Sequence, residues 1–205
     1  MTVAFAVHRY VVVTARGVPG GSAVAVDPFD DRYNRHPLST YAHVVPGLLF
    51  MTLGPLQFSR RIRARWLGFH RWSGRIFLLC ATVGALSSMA IAVRFPAWGG
   101  SSTAVATYFF GLLFLFCLAR AYYYIRRKQI PLHREWMIRA FAIGLGVSTI
   151  RVVLILIQVV WHLKSYEAFP TAFWLGFSVN LIAAEVWINL SRPREAFSYQ
   201  RSDIS

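Results

Sequence analysis

Two histidines stand in matching surroundings. Leu67-Gly68-Phe69-His70-Arg71-Trp72-Ser73-Gly74-Arg75 leads into one apolar block, and Leu132-His133-Arg134-Glu135-Trp136-Met137-Ile138-Arg139 leads into another. Each has a His-Arg pair, a nearby tryptophan and a second arginine, Arg75 or Arg139. Two imidazoles facing each other across a helical bundle suit the axial positions of a single b-type haem, whose propionates Arg71, Arg75, Arg134 and Arg139 would neutralise. The same pair would serve a copper or zinc ion as ligands, or a quinone carbonyl as hydrogen-bond donors. A plainer chemistry needs no cofactor: His-Arg pairs at helix ends bind the phosphates of anionic lipids and fix the depth of a helix.

A second set of polar residues falls inside apolar blocks. His43, Pro46-Gly47 and Gly54-Pro55-Leu56-Gln57 share one block; its prolines remove backbone donors and, with the glycines, favour kinks or close helix approach over a ligand cavity. Arg151 lies about 15 residues, or roughly 22 Å, into its block. Asn180 and Glu185 share the last block. Ionisable groups within a membrane turn to the bundle interior and take partners. Depth counting sets Arg151 near Asn180 and His43, and Glu185 near Arg75, Arg139, His70 or His133. These residues therefore define an inner polar site and a smaller outer one.

The elements that must carry these residues are membrane helices. The chain has 205 residues, 56% hydrophobic and only 15% charged, where soluble domains hold about 25% charged residues. Five apolar blocks, at residues 41–58, 74–93, 105–125, 136–161 and 171–190, approach or exceed the roughly 18–20 residues that cross a bilayer as a helix. They are too long, and lack the two-residue alternation, for strands. The expected fold is an all-α integral membrane bundle of about five transmembrane helices, with the first two hairpins forming a weak internal repeat. That repeat sets His70 and His133 at one depth on parallel helices. A two-haem bundle would repeat each histidine about four turns further on; Val83 and Gly84 stand there after His70, Gly146 and Val147 after His133. Any haem here is therefore single.

Charge supplies orientation. Lys and Arg number 22 against 8 Asp and Glu, a net +14. The basic residues lie in the gaps between apolar blocks, which fits a membrane and not the continuous basic face of a nucleic-acid binder. Arg60, Arg61, Arg63, Arg65, Arg71 and Arg75 crowd one loop, and Arg126, Arg127, Lys128, Arg134 and Arg139 another. The alternate loops offer only Arg94 and Lys164. The arginine-rich loops, and a tail with Arg192, Arg194 and Arg201, are thus expected in the cytoplasm. Trp66, Trp72, Trp98, Trp136 and Trp161 lie near span ends, as interfacial anchors do. Cys80 and Cys117 fall inside spans and read as small apolar filler.

The organisation expected is an N-terminal segment (1–38), the helical bundle (39–190) and a cytoplasmic tail (191–205). Residues 3–13 are apolar but too short to span, and 27–34 read as an exposed turn. No phosphate-binding glycine loop, His-Glu-x-x-His or Gly-x-Ser-x-Gly occurs.

The ordered set His43, Gly54-Pro55-Leu56-Gln57-Phe58, Arg63, His70-Arg71-Trp72-Ser73-Gly74-Arg75, His133-Arg134-Glu135-Trp136-Met137-Ile138-Arg139, Arg151, Asn180-Leu181 and Glu185-Val186-Trp187 resembles bacterial membrane proteins grouped as domain of unknown function 2306. The resemblance covers roughly residues 27–190. It implies a multi-pass inner-membrane protein and no particular reaction. It also implies one further helix at the start, of which the N-terminal segment would be a shortened counterpart or a surface-lying remnant. Two functions stand side by side on these residues. One is a membrane redox component that binds a single b-type haem or a metal through His70 and His133, with Glu185 relaying protons. The other is a non-enzymatic assembly, lipid-binding or quinone-binding protein whose arginines clamp phosphates.

Overall fold

The computed structural model describes residues 36–94 and 99–192, and there the chain is helical, with no strand among the described residues. The helices are α1 (Pro37–Phe58), α2 (Arg60–Arg65), α3 (Leu67–Arg94), α4 (Gly100–Arg126), α5 (Ile130–Trp161) and α6 (Ser165–Ser191). Most of the N-terminal segment, with the 3–13 and 27–34 stretches, lies outside the described residues, as do Trp98 and the tail arginines Arg194 and Arg201.

Four helices, α3 to α6, are long and apolar enough to cross a membrane. The fifth expected span, α1, has 22 residues, about 33 Å at 1.5 Å per residue. It is long enough, but His43, Gln57 and two internal prolines dilute its apolar character. Every helix runs beyond its apolar block at one end or both: α3 starts at Leu67 and α5 at Ile130. Hydropathy marks where lipid lies, whereas the backbone goes on bonding to itself into the headgroup layer. This extension carries the His-Arg motifs onto helices. His70 and His133 are each the fourth residue of their helix, and their amides donate to Trp66 O and Gln129 O, both at 3.0 Å.

Breaks in the chain have local causes. Ser59 turns extended (φ −66°, ψ 119°) and ends α1. Lys128 takes a left-handed conformation (φ 59°) in the tight turn between α4 and α5, and His162 (φ 54°) ends α5. Gly99, at φ +88°, starts α4; a Cβ there would lie 2.2 Å from Pro170 Cγ of α6, so both backbone and neighbour require glycine.

Side-chain pairs show that consecutive long helices run antiparallel. Gln57 meets Ser73 and His43 meets Ser87 between α1 and α3; Tyr108 meets Met89 between α3 and α4; Arg139 meets Glu185 and Gln158 meets Ser165 between α5 and α6. The arginine-rich end of the bundle thus gathers the end of α1, α2, the starts of α3 and α5, and the ends of α4 and α6. Phe50, Phe77, Phe114 and Phe141 from four helices stack at the centre, and Phe110, Phe173 and Phe177 pack between α4 and α6. Buried alanines such as Ala81, Ala106, Ala140 and Ala172 bring the backbones close. Large apolar side chains such as Leu79, Val93 and Val159 point outward, as lipid-facing residues do.

Candidate functional site

The site is built from the junction of α1, α2 and α3. Gln57 is buried near the end of α1 and donates from Nε2 to Ser73 Oγ at 2.7 Å, while Ser73 donates onward to Phe69 O at 2.7 Å. Gly74 has no side chain to disturb this: a Cβ would lie 3.1 Å from Gln57 Oε1. The Gln57 and Ser73-Gly74 motifs therefore stitch α1 to α3, which assigns Gln57 a structural partner. The break at Ser59 folds α2 back, and Arg63 Nη1 donates to Gln57 O at 3.3 Å.

Above this stitch lies a layer of cations. His70 is close enough to Arg63, His133 and Arg71 for their charges to bear on it. Arg63, in turn, feels Arg134 and Arg60; partial burial first, then these two neighbours, lower its affinity for a proton from the usual guanidinium value. Only Glu135, Glu167 and Glu185 carry carboxylates among the described residues. Glu167 caps the start of α6 by accepting from Lys164 N. Glu135 accepts from Arg192 at 2.7 and 2.9 Å, and Glu185 from Arg139 at 2.5 and 2.9 Å. Arg60, Arg63, Arg71 and Arg134 consequently have no carboxylate partner among the described residues.

The two histidines differ. His133 Nδ1 lies 2.8 Å from Ala121 O. A carbonyl only accepts, so Nδ1 carries the proton and Nε2 keeps its lone pair, the posture of a ligating or proton-accepting imidazole. His70 Nδ1 is buried and has no hydrogen-bond partner. A buried polar atom left unpaired costs about 1–3 kcal/mol.

The remaining sequence candidates distribute as follows. Arg71, Arg75 and Arg134 are exposed at the arginine-rich end. Arg139 is held by Glu185, with Glu135 at 3.8 Å and the Trp136 ring 4.8 Å away. Asn180 exchanges hydrogen bonds with Thr149 at 3.0 and 3.2 Å, and Arg151 Nη1 donates to Val147 O at 2.7 Å. His43 turns to α3, with Nδ1 3.0 Å from Gly84 O and 3.2 Å from Ser87 Oγ. No group of three or more His, Cys, Asp or Glu with metal-holding geometry occurs among the described residues, so His70 and His133 are two donors without a third. Cys80 and Cys117 are buried free thiols.

Sequence reading passed over Arg120. It lies in α4, donates to Tyr124 OH, and stacks over Tyr124 (4.8 Å) and Trp136 (5.4 Å), with Nε buried and unpaired. The available signal was an arginine within an apolar block with a tyrosine four residues on, one helical turn away.

A family model described as Predicted membrane protein (DUF2306) matches residues 40–188, from the first turn of α1 to the last turn of α6. No curated protein matches the chain, and no solved structure does.

Proposed function

The chain belongs to DUF2306, a family of predicted membrane proteins, and we propose that it binds the anionic group of a membrane-resident amphiphile at its arginine-rich end. The observation that carries this reading is that Arg63 and Arg71, which form no carboxylate ion pair among the described residues, lie close to His70, whose Nδ1 is buried without a hydrogen bond there, with Arg134 beside Arg63. Three or more cations in one interfacial layer repel one another, and a phosphate or carboxylate relieves that repulsion. His70 would donate to the same anion, and His133 Nε2 would accept a proton or ligate.

The anion has two sources. In the redox form of the reading, a single b-type haem sits between His70 and His133 and its propionates take the arginines; the posture of His133 supports this form. In the other form, an anionic phospholipid supplies the phosphate and the protein is a non-enzymatic lipid-binding or assembly component. One preparation separates them. Protein purified in mild detergent from haem-replete cells is scanned oxidised and dithionite-reduced, and its retained lipids are weighed by native mass spectrometry. A Soret band lost in both His70→Ala and His133→Ala establishes the haem form. A colourless protein retaining anionic lipid, with retention reduced at least about fivefold in Arg63→Gln/Arg134→Gln, establishes the lipid form, since two charge-assisted contacts of about 1 kcal/mol each are removed. A protein with neither ligand overturns the reading.

The location proposed is the bacterial inner membrane, with the arginine-rich end and the C-terminus in the cytoplasm. A green fluorescent fusion after Ser205 is expected to fluoresce and an alkaline phosphatase fusion there to be inactive. The opposite result would invert the assignment and place the basic layer on the outer face.

A further inference from the structure

The groups of the basic layer divide by what each can do in a hydrogen bond. Its guanidiniums only donate, and Arg63 and Arg71 form no carboxylate ion pair among the described residues. His133 differs from them. Its Nδ1 proton goes to Ala121 O at 2.8 Å, so Nε2 brings a lone pair and no proton. His133 stands close enough to His70 for its charge to bear there, as do Arg63 and Arg71, and Arg134 stands beside Arg63. The layer is therefore matched by an anion that has several acceptor oxygens and one donor.

Depth favours a lipid as the source of that anion. α3 and α5 have 28 and 32 residues. At about 42 and 48 Å, they outrun a hydrocarbon layer of about 30 Å by roughly 6–9 Å at each end. His70 and His133 are each the fourth residue of their helix, about 4.5 Å from its start. Both imidazoles thus stand just outside the hydrocarbon, where lipid phosphates lie.

Lipid phosphates come in two chemistries. A phosphodiester has two terminal oxygens and no proton, so it can meet the guanidiniums but sets an oxygen lone pair against that of Nε2. A phosphomonoester has three terminal oxygens and loses its last proton near about pH 6, which keeps a P–OH within reach at neutral pH. That hydroxyl donates to Nε2 while the other oxygens accept from the arginines and His70. Zwitterionic headgroups carry an ammonium, which the arginines repel.

We propose that the basic layer selects an amphiphile ending in a phosphate monoester, as phosphatidate does, over phosphodiester lipids. His133 Nε2 accepts the P–OH proton, and Arg63, Arg71 and Arg134 hold the remaining oxygens. The proposal rests on the lipid form of the anion reading.

The test gives the full chain, in detergent micelles, equal amounts of dioleoyl phosphatidate and dioleoyl phosphatidylmethanol. The second is the first with its P–OH methylated. Bound lipid is counted by native mass spectrometry. Phosphatidate is expected to be retained at least about fivefold over phosphatidylmethanol, the worth of one net hydrogen bond. His133→Phe keeps a ring but removes the acceptor. It is expected to bring phosphatidate down to the level of phosphatidylmethanol, with phosphatidylmethanol itself little changed. Equal retention of the two lipids by the unsubstituted protein overturns this proposal and leaves the anion reading standing, whereas retention of neither lipid and of no haem overturns both. A haem in the site overturns this proposal alone. So does displacement of phosphatidate by millimolar inorganic phosphate, which would make the ligand a free phosphate. Parallel loss of both lipids in a His133→Phe protein with an unchanged melting midpoint also overturns it, since His133 would then hold the site without reading the proton.

Discussion

Gly176→Ala is expected to destabilise the bundle by about 2–3 kcal/mol, the upper range for forcing an extra methyl into a packed core. A Cβ on Gly176 would lie 2.8 Å from the backbone N of Ile150 and 3.0 Å from its Cα, besides 2.6 Å from Cγ1. A side chain can rotate away, but here the obstacle is the backbone of α5, so the two helices must separate. Other glycines set the scale. At Gly111 the methyl would meet the flexible end of Met89, at 3.1 Å, and at Gly47 it would meet nothing within 4 Å. Gly111→Ala and Gly47→Ala are therefore expected within about 0.5 kcal/mol of the unsubstituted protein, with helix propensity favouring alanine slightly. Thermal unfolding in detergent, followed by tryptophan fluorescence, checks this: a fall of about 5–10 °C for Gly176→Ala. A midpoint unchanged in Gly176→Ala would show that α5 and α6 are not in van der Waals register there. The same register brings Arg139 opposite Glu185.

How much of this was legible in the sequence depends on the kind of information each feature needs. Apolar blocks located the long helices because length and hydropathy are properties of one segment at a time; blocks such as 105–125 and 171–190 sit inside α4 and α6. Helix starts were missed where polar residues such as Gly68 to Arg71 remain helical outside the hydrocarbon. Depth counting set Glu185 near Arg75, Arg139, His70 or His133, and the structure pairs it with Arg139, the one of these that stands on the adjacent face of α5. The same counting set Arg151 near Asn180 and His43; for hydrogen bonds Asn180 takes Thr149 and His43 takes Gly84 and Ser87. Depth fixes height but says nothing of which face of the helix a residue occupies or which helix stands opposite. Arg120 escaped because a single cation barely lowers the mean apolarity of its block, and the aromatic rings that hold it come from both α4 and α5. That Arg63 and Arg71 form no carboxylate ion pair among the described residues was not legible at all, since it depends on where Glu135, Glu167 and Glu185 are spent.

Arg139→Leu carries the second large expectation, a loss of about 2–3 kcal/mol that is largely recovered in Arg139→Leu/Glu185→Leu. Arg139 ties α5 to α6: it makes two hydrogen bonds to Glu185 on α6 and, within α5, has Glu135 at 3.8 Å and the Trp136 ring at 4.8 Å. Removing one partner of a buried pair typically costs about 3–5 kcal/mol because the other charge is stranded. The expectation is set lower because the Glu185 side chain is 47% exposed, so the stranded charge is only partly buried. Glu135 keeps Arg192 and is not stranded. With both members made apolar neither charge of the pair is stranded, so the coupling between the two substitutions should be about 1–3 kcal/mol, read from unfolding midpoints of the four proteins. Arg139→Lys is expected between the extremes, since an ammonium cannot make the paired bonds of a guanidinium to one carboxylate. Equal instability of the single and double variants would mean that Arg139 acts through Trp136 and packing instead of through its charge.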